Sequence, residues 1–578
     1  MSRNKSLAII SGFGGINSSG RSSGFLGYKN LVFESLKEKE QLEVLQDLAV
    51  LQGKIETVGT RWETVSGDSI ILKEYLLENS ASIRQDCFIR KIEREVYDPD
   101  GIILEQIKAS AAGQLPKGFD PSNYYPARQH PKALQMTVFG MSDAIGQLGF
   151  KWEEVQERVN PDQVSVFSGA AIGQLDNFGF GGLMQSRIKG SRASSKNLAL
   201  GLVEMSADFI NAYILGNVGR TGHSVGACAT FLYNLQMGKE AIESGSSKVS
   251  IVGAAEAPIT PEIIDGFFAM SALSDDKRMI EMQASNGESI ESGPIQTLAC
   301  RPFGNNAGMV LGESAQFVIL MEANLAIEIG ADVYGSVSSV HSHSDGHKSS
   351  ISGPGVGNYI TMAKCAADAE KEIGLKPLRK NTFVHAHGTG TPANRTTESH
   401  ILNEIAKTFG IKNWSVSAIK SYLGHSMAPA SGDQLITSLG SWNSGVIPGI
   451  HSTDALAEDV YSEHLDILLE NRTEEKNFFK GCFLNAKGFG GNNASAFILS
   501  PEETRIRMQS LVTKNKYNQY IKIVEKTRKK SIKYNELSLK GDYKVTYKFN
   551  ENVLDGEKDI EISRKGMKLK GFKKQIKF

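Results

Sequence analysis

Along the chain, short apolar runs alternate with longer stretches whose apolar positions recur every three or four residues. The runs predict strands and the stretches predict helices. Residues 6–11 should form a first strand, closed by a glycine turn at Gly12-Phe13-Gly14-Gly15. Residues 132–148 predict a helix, 163–169 a buried strand and 196–215 another helix. Phe231, Leu232, Leu235, Ala241 and Ile242 share one helical face. A helix should therefore begin at or just after Cys228 and end near Gly245, with a strand over residues 248–255. The second half repeats this logic. Strands are expected at 316–321, 331–340, 381–387, 414–419, 481–485 and 494–499, with helices at 359–373 and 397–409. Strands alternating with helices imply α/β layers. No convincing internal sequence repeat accompanies the alternation.

Two stretches depart from this pattern. Residues 28–115 are richer in charge and helical periodicity, as in EYLLENSASI and FIRKIEREV, and predict a helical elaboration. Residues 117–128 carry turn residues and two prolines and predict a loop. From about Pro501 the glycines thin out and the apolar pattern becomes short and alternating, as in DYKVTYKF. Residues 501–578 hold 21 Lys and Arg against 10 Asp and Glu, a net charge of about +11, which leaves the remainder near −11. This predicts a separate appendage. It reads as a solvated, partly helical tail, or as a docking surface for an acidic partner.

Over all 578 residues the formal net charge is zero, so global electrostatics select no partner. Apart from the basic tail, nothing points to nucleic acid. The five cysteines, Cys87, Cys228, Cys300, Cys365 and Cys482, are odd in number and scattered. That argues against a disulfide framework and for a reducing compartment. No close Cys/His cluster suggests structural zinc. No apolar span is long enough for a membrane helix. The start, MSRNKSLAIISGFGG, reads as a strand and not a signal peptide, so a cytoplasmic location is expected.

Four segments carry candidate chemistry. Cys228 sits among Gly226, Ala227 and Ala229 at an expected helix start, where unpaired N–H groups favour a thiolate; a lone cysteine is otherwise usually a buried structural residue. His385-Ala386-His387-Gly388-Thr389-Gly390-Thr391-Pro392 places a histidine and two hydroxyls in a turn at a strand end. Lys420-Ser421-Tyr422-Leu423-Gly424-His425 sets a lysine and a histidine five residues apart. Asn485-Ala486-Lys487-Gly488-Phe489-Gly490-Gly491-Asn492 surrounds a phenylalanine with glycines, leaving N–H groups to face a ligand, or forms an ordinary hairpin turn.

In this order the four segments resemble the β-ketoacyl synthase family of the thiolase superfamily. Arg301-Pro302-Phe303 and Gly312-Glu313-Ser314-Ala315 agree, and the likeness spans about residues 6–500. The long N-terminal elaboration and residues 113–148 look like the long bacterial synthases of the FabY type that start fatty-acid chains.

The resemblance implies a thiolase-like α/β fold, with two similar halves in five layers, αβαβα. The first half would span 1–290 with a helical insertion at about 28–130, the second 291–500, and the basic extension 501–578. It implies a homodimer without metal or redox cofactor. Its partners would be acyl carrier protein, an acyl-CoA or acyl-carrier primer, and malonyl carrier protein. Cys228 would hold the acyl group. His387 and His425 would assist decarboxylation, Lys420 would support the second histidine, and Glu313 would be the acidic partner of Lys420. Thr389 and Thr391 would hold the phosphopantetheine arm. Phe489 would gate the pocket and share an oxyanion hole with Cys228. The implied reaction is decarboxylative Claisen condensation in fatty-acid synthesis. The alternatives are a polyketide or polyene ketosynthase and a non-catalytic chain-length subunit. Three departures stand out: the uncharged run at residues 304–309, Lys487 in place of a small or aromatic residue, and Asn492 in place of threonine.

Overall fold

The computed structural model describes residues 6–92, 95–97, 103–106, 109–350 and 353–578. The first half of the body contains β1 (Ala8–Asn17), α1 (Glu38–Leu51), α2 (Lys132–Gly146), β2 (Val164–Gly169), α3 (Thr230–Glu243), β3 (Val249–Glu256) and β4 (Ser314–Glu322). The second contains β5 (Gly335–His343), α4 (Gly357–Ile373), β6 (Thr382–His385), α5 (Pro392–Phe409), β7 (Trp414–Ser417), α6 (Ala430–Ser444), β8 (Gly481–Gly488) and β9 (Asn492–Leu499). The C-terminal helices α7 (Pro501–Ser510) and α8 (Lys514–Ser538) follow.

The strands join a 12-stranded sheet that is one topology written twice. In the first copy the order across the sheet is Thr221–Gly222, β2, β3, β4, β1; the second continues β5, β9, β8, β6, β7. The outer strands run parallel, three in the first copy and, with Leu465–Ile467 beyond β7, four in the second, and the rest antiparallel. Within the sheet the two copies are joined where Ile9 and Ile10 pair with Ser336 and Gly335. Helix α2 covers the outer face of β1 and β4, and α4 and α5 cover the second copy. Between the copies, α3 and α6 pack on each other and on both sheets. Three apolar cores fill the spaces between these layers. This is the expected αβαβα stack. A strand copied in topology keeps only its burial, which is why the repeat leaves no trace in residue identities.

Several expectations need correction. The division at residue 290 falls too early, because β4 pairs with both β3 and β1 and completes the first copy. Gly12 to Gly15 do not turn: β1 runs through them to Asn17, buried throughout. A Cβ on Gly14 would lie 2.2 Å from Ala144 N, so the glycine lets α2 press onto the strand. The helix expected over 196–215 is broken, with a 102° bend between Ser195–Gly201 and Met205–Leu215. The elaboration is only partly helical. After α1 come the strands Ile55–Val58, Arg61–Thr64 and Ser69–Ile70, and Ile89–Lys91 pairs with Ala111–Gly113. The run FIRKIEREV fits either period, and strand partners decided it; its residues 93 and 94 lie outside the described residues. Among the described residues no single helix is long and apolar enough to cross a membrane.

The basic tail is no appendage. On α8, Tyr520, Val524, Thr527, Ser531, Tyr534 and Ser538 form one buried face at spacings of three and four. Tyr520 and Val524 enter the outer core of the first copy. Arg528 grips Asp332 with two bonds of 2.9 and 2.7 Å, and Tyr534 Oη donates to Asp143 Oδ1 at 3.1 Å.

Candidate active site

The duplicated topology brings the four segments together. Strands β6, β7 and β8 are parallel, so the loops after them open on one side of the sheet. Those loops carry His387, then Lys420 and His425, then Phe489. Ligands bind at such carboxyl ends in open α/β sheets. In the first copy, the strand matching β7 is Thr221–Gly222, and the segment after it carries Cys228 into α3.

Both central helices are entered through the same elbow. Ala227 (φ 49°) and Met427 (φ 61°) each stand three residues before the helix, in the left-handed region. Such a residue costs about 1–3 kcal/mol, and strain of this kind gathers at functional sites. Phe231 N donates to Ala428 O at 3.2 Å and ties the elbows together. Gly488 closes the group: a Cβ there would meet Gly226 O at 2.3 Å and Cys228 N at 3.1 Å. Its lack of a side chain brings the Phe489 turn against the cysteine backbone.

The result is a cavity of about 390 Å³ lined by Cys228, His387, His425, Lys487, Phe489 and, toward one side, Thr389 and Thr391. Donor atoms of Cys228, His387 and His425 all lie within 4.8 Å of one another. The histidine rings are nearly perpendicular, with centroids 5.3 Å apart. Met427 N donates to His425 Nδ1 at 3.2 Å. Lys420 Nζ lies 3.3 Å from His387 Nδ1, and an ammonium can only donate. Each Nδ1 is thus an acceptor, and each neutral ring carries its proton on Nε2. His425 Nε2 is buried without a partner. Burial, with Lys420 adding to it, holds both histidines well below the ordinary imidazole range, so both are neutral.

The expected thiolate does not stand ready in this cavity. Burial pushes the Cys228 thiol up to about 12, with Lys420 opposing the rise. Desolvation outweighs the helix start here. Lys420 itself is lowered by burial; its ammonium also donates to His387 O. It therefore binds the first histidine, where the second was expected. Glu313 is not its partner. That carboxylate takes Lys132 Nζ at 2.6 Å and Leu115 N at 3.2 Å, so it fastens the N-terminal elaboration and the start of α2 to the body. The separation has a steric reason: Gly113, Gly312 and Gly424 pack around Leu423 O and Leu311 O and bring that backbone up behind His425.

The acid that serves the histidine loop is Glu398 on α5. It accepts His387 N at 2.6 Å, Gly388 N at 2.8 Å and Asn485 Nδ2 at 2.7 Å. Sequence reasoning missed it, and also missed Asp433, which accepts Asn17, Ser314, Gln316 and Ser426 and steadies the loop after His425. Asp433 had a signal: it is the sole acid in the apolar helix ASGDQLITSLGSW. Glu256 was also missed. It accepts Ala171 N and Ile172 N of the loop after β2 and Ala428 N of the second elbow, and burial pushes it up to about 7. Thr389 and Thr391 hydroxyls lie 3.0 Å apart, and the Phe489 ring packs on Phe267. The Cys-His-His set is the one group among the described residues with metal-ligand proximity. A neutral imidazole protonated on Nε2 presents an N–H there and not a lone pair, so these nitrogens suit hydrogen-bond donation.

A strained cysteine elbow facing two imidazole N–H donors between duplicated α/β halves defines a condensing enzyme, and family models agree. The beta-ketoacyl synthase N-terminal domain matches residues 72–326 and the C-terminal domain matches 334–454. The chain belongs to the β-ketoacyl synthase family, and it is an acyltransferase of the condensing type. Within that family it is 40% identical to beta-ketoacyl-[acyl-carrier-protein] synthase FabY of Pseudomonas aeruginosa, over 99% of this chain and 98% of the relative. The crystal structure of that noncanonical ketosynthase superposes with a TM-score of 0.95 at 38% identity, covering 100% of this chain and 98% of the other. A 3-oxoacyl-[acyl-carrier-protein] synthase 2 of Staphylococcus aureus is 30% identical over 68% of this chain and 88% of its own length.

Proposed function

We propose that the chain condenses an acyl thioester held on Cys228 with malonyl-acyl carrier protein, giving 3-oxoacyl-acyl carrier protein in fatty-acid synthesis, at the chain-starting step. The observation that carries this reading is the pair of neutral imidazoles whose protons sit on Nε2 beside Cys228. Similarity to FabY along the whole chain supports it.

In the first half-reaction the Cys228 sulfur attacks the primer thioester and the primer's thiol leaves. With its thiol pushed up to about 12, Cys228 must lose its proton as the bond forms. The departing primer thiolate takes that proton, and Lys420 and the α3 N-terminus favour the anion on sulfur. In the second half-reaction the malonyl thioester carbonyl accepts the two Nε2–H groups. The carbon–carboxylate bond breaks, carbon dioxide leaves, and the electron pair collects on that carbonyl as an enolate. Charged imidazoles would place net positive charge there but would also lose protons in the process; neutral donors only bind. The enolate carbon then attacks the acyl group, the Cys228 sulfur leaves, and the transient oxyanion faces the N–H groups of Cys228 and Phe489. Thr389 and Thr391 line the path of the pantetheine arm. Family membership supports a homodimer acting in the cytoplasm.

Incubation with acyl-CoA or acyl carrier protein, followed by peptide mass spectrometry, tests the reading. Acylation is expected on Cys228 alone, with condensation abolished in Cys228→Ala. Acyl groups mapped to another cysteine, or condensation surviving in Cys228→Ala, would overturn it.

A further inference from the structure

Lys487 is a cation in the reaction cavity that the chemistry above leaves unused. It stands two residues before Phe489, at the end of β8, and lines the same cavity as Cys228, His387 and His425. Its charge is felt at His387, where it helps to keep the imidazole neutral. Among the described residues no carboxylate lies within ion-pair distance of its ammonium. The two acids that act on it from further away, Glu398 and Asp345, are engaged elsewhere. Glu398 accepts the His387 and Gly388 backbone N–H groups and Asn485. Asp345 accepts Gly357 N at 3.1 Å and Asn493 Nδ2 at 2.7 Å, and pairs with Lys348 at 3.4 Å. Burial lowers Lys487 from the usual lysine range, as expected of an ammonium short of partners.

An ammonium held in a cavity without a counter-ion is costly unless a ligand brings one. Of the two substrates in the proposed reaction, only the extender is charged at its reacting end. A simple acyl thioester ends in an alkyl group; a malonyl thioester ends in a carboxylate. We propose that Lys487 binds the carboxylate of the malonyl group and so selects the extender in the second half-reaction. This rests on the condensing role assigned above.

The geometry gives the contact two consequences. Anchoring the carboxylate at Lys487 while the thioester carbonyl sits on the two Nε2–H groups fixes both ends of the malonyl unit. That restrains rotation about the bond that must break. When carbon dioxide leaves, Lys487 gives up its anion while the enolate charge collects on the carbonyl held by the two Nε2–H groups. The pairing also stabilises the ground state, so its main effect belongs in KM and not in kcat.

The test uses the full-length enzyme and two variants, Lys487→Met and Lys487→Arg, each read in both half-reactions. Acylation of Cys228 by acyl-CoA, followed by mass spectrometry, should stay within about twofold of wild type in both. The KM for malonyl carrier protein should rise about tenfold or more in Lys487→Met and recover most of the way in Lys487→Arg. Unchanged KM in Lys487→Met would overturn the proposal. So would an equal loss in both half-reactions, which would mark Lys487 as structural. A shifted pH profile with unchanged KM would also overturn it, by assigning Lys487 to His387 alone. If wild-type enzyme fails to acylate Cys228, the condensing role itself falls, a result distinct from any of these.

Discussion

The molecule holds two buried charged clusters that differ in how their charges are met. The first joins the N-terminal elaboration, α2 and the tail. Arg21, fully buried, donates to Asp47 Oδ1 at 3.1 and 3.2 Å and to Asp143 Oδ1 at 3.0 Å. Tyr543 lies under its guanidinium at 5.6 Å. Asp143 also receives Gly15 N, Ser23 N, Ser23 Oγ and Tyr534 Oη. Among the described residues of this cluster, Asp47 Oδ2 and the Tyr543 hydroxyl lack a partner, while the guanidinium meets a carboxylate on each side. The second cluster is the reaction cavity. There His425 Nε2 is unpartnered, Lys420 faces a carbonyl and a neutral ring, and Lys487 faces space. The cations respond oppositely: Arg21 is raised by its carboxylates, while Lys420 and Lys487 are lowered by burial. Satisfied buried charge holds this fold together. Under the proposed reaction, the unsatisfied buried charge lies where substrate would supply what is missing.

The largest expected effect attacks the satisfied cluster. Arg21→Met leaves two buried carboxylates without their cation and should cost about 3–5 kcal/mol in urea unfolding. Turnover per folded active site should stay near wild type. Lost turnover in the folded fraction would erase the contrast between the two clusters.

The histidines come next. His387→Ala and His425→Ala should still acylate Cys228 but release carbon dioxide about 10²–10³-fold more slowly. Wild-type release from either would break the assignment. They also supply a pH arm. Both imidazoles lie well below 6.5 in the fold, whereas an unfolded chain takes up protons near that value. The unfolded state therefore binds more protons as pH falls below about 6.5, and stability drops there. Above it both states are neutral and the contribution is flat. Urea midpoints at pH 7.5 and 5.5 should separate more in wild type than in either alanine variant.

The smallest effect tests a single bond of the clamp. Tyr534→Phe removes one donor to Asp143 and should cost about 1 kcal/mol, seen as a lower urea midpoint with unchanged condensation. No change would mean that the tail is held by its apolar and Arg528 contacts alone.

Legibility from the sequence varied with range. Most body strands and helices were recoverable from periodicity, to within a few residues. So were Cys228, His387, His425 and Phe489, because each lies close to a glycine in the segment that follows a strand. The face of α8 was not recoverable, since half of its buried positions are Thr or Ser and the rest of the helix is basic. Small hydroxylated residues can be buried where a glycine faces them, as Gly149 faces Thr527. Glu398 was missed because an acid near a helix start looks like an ordinary capping residue.

Residue order and local pattern alone determined the kinds of groups available and the layered α/β class. They also placed a cysteine, two histidines and two lysines on turns. Only the tertiary structure decided which charge meets which: Lys420 on His387, Glu313 on Lys132, Glu398 on the His387 backbone, and Lys487 on nothing. The reason is distance. Periodicity is set by neighbours a few residues apart. A hydrogen bond or ion pair depends on placing residues far apart in the chain to within about an ångström, and packing of the two copies and their additions sets that placement.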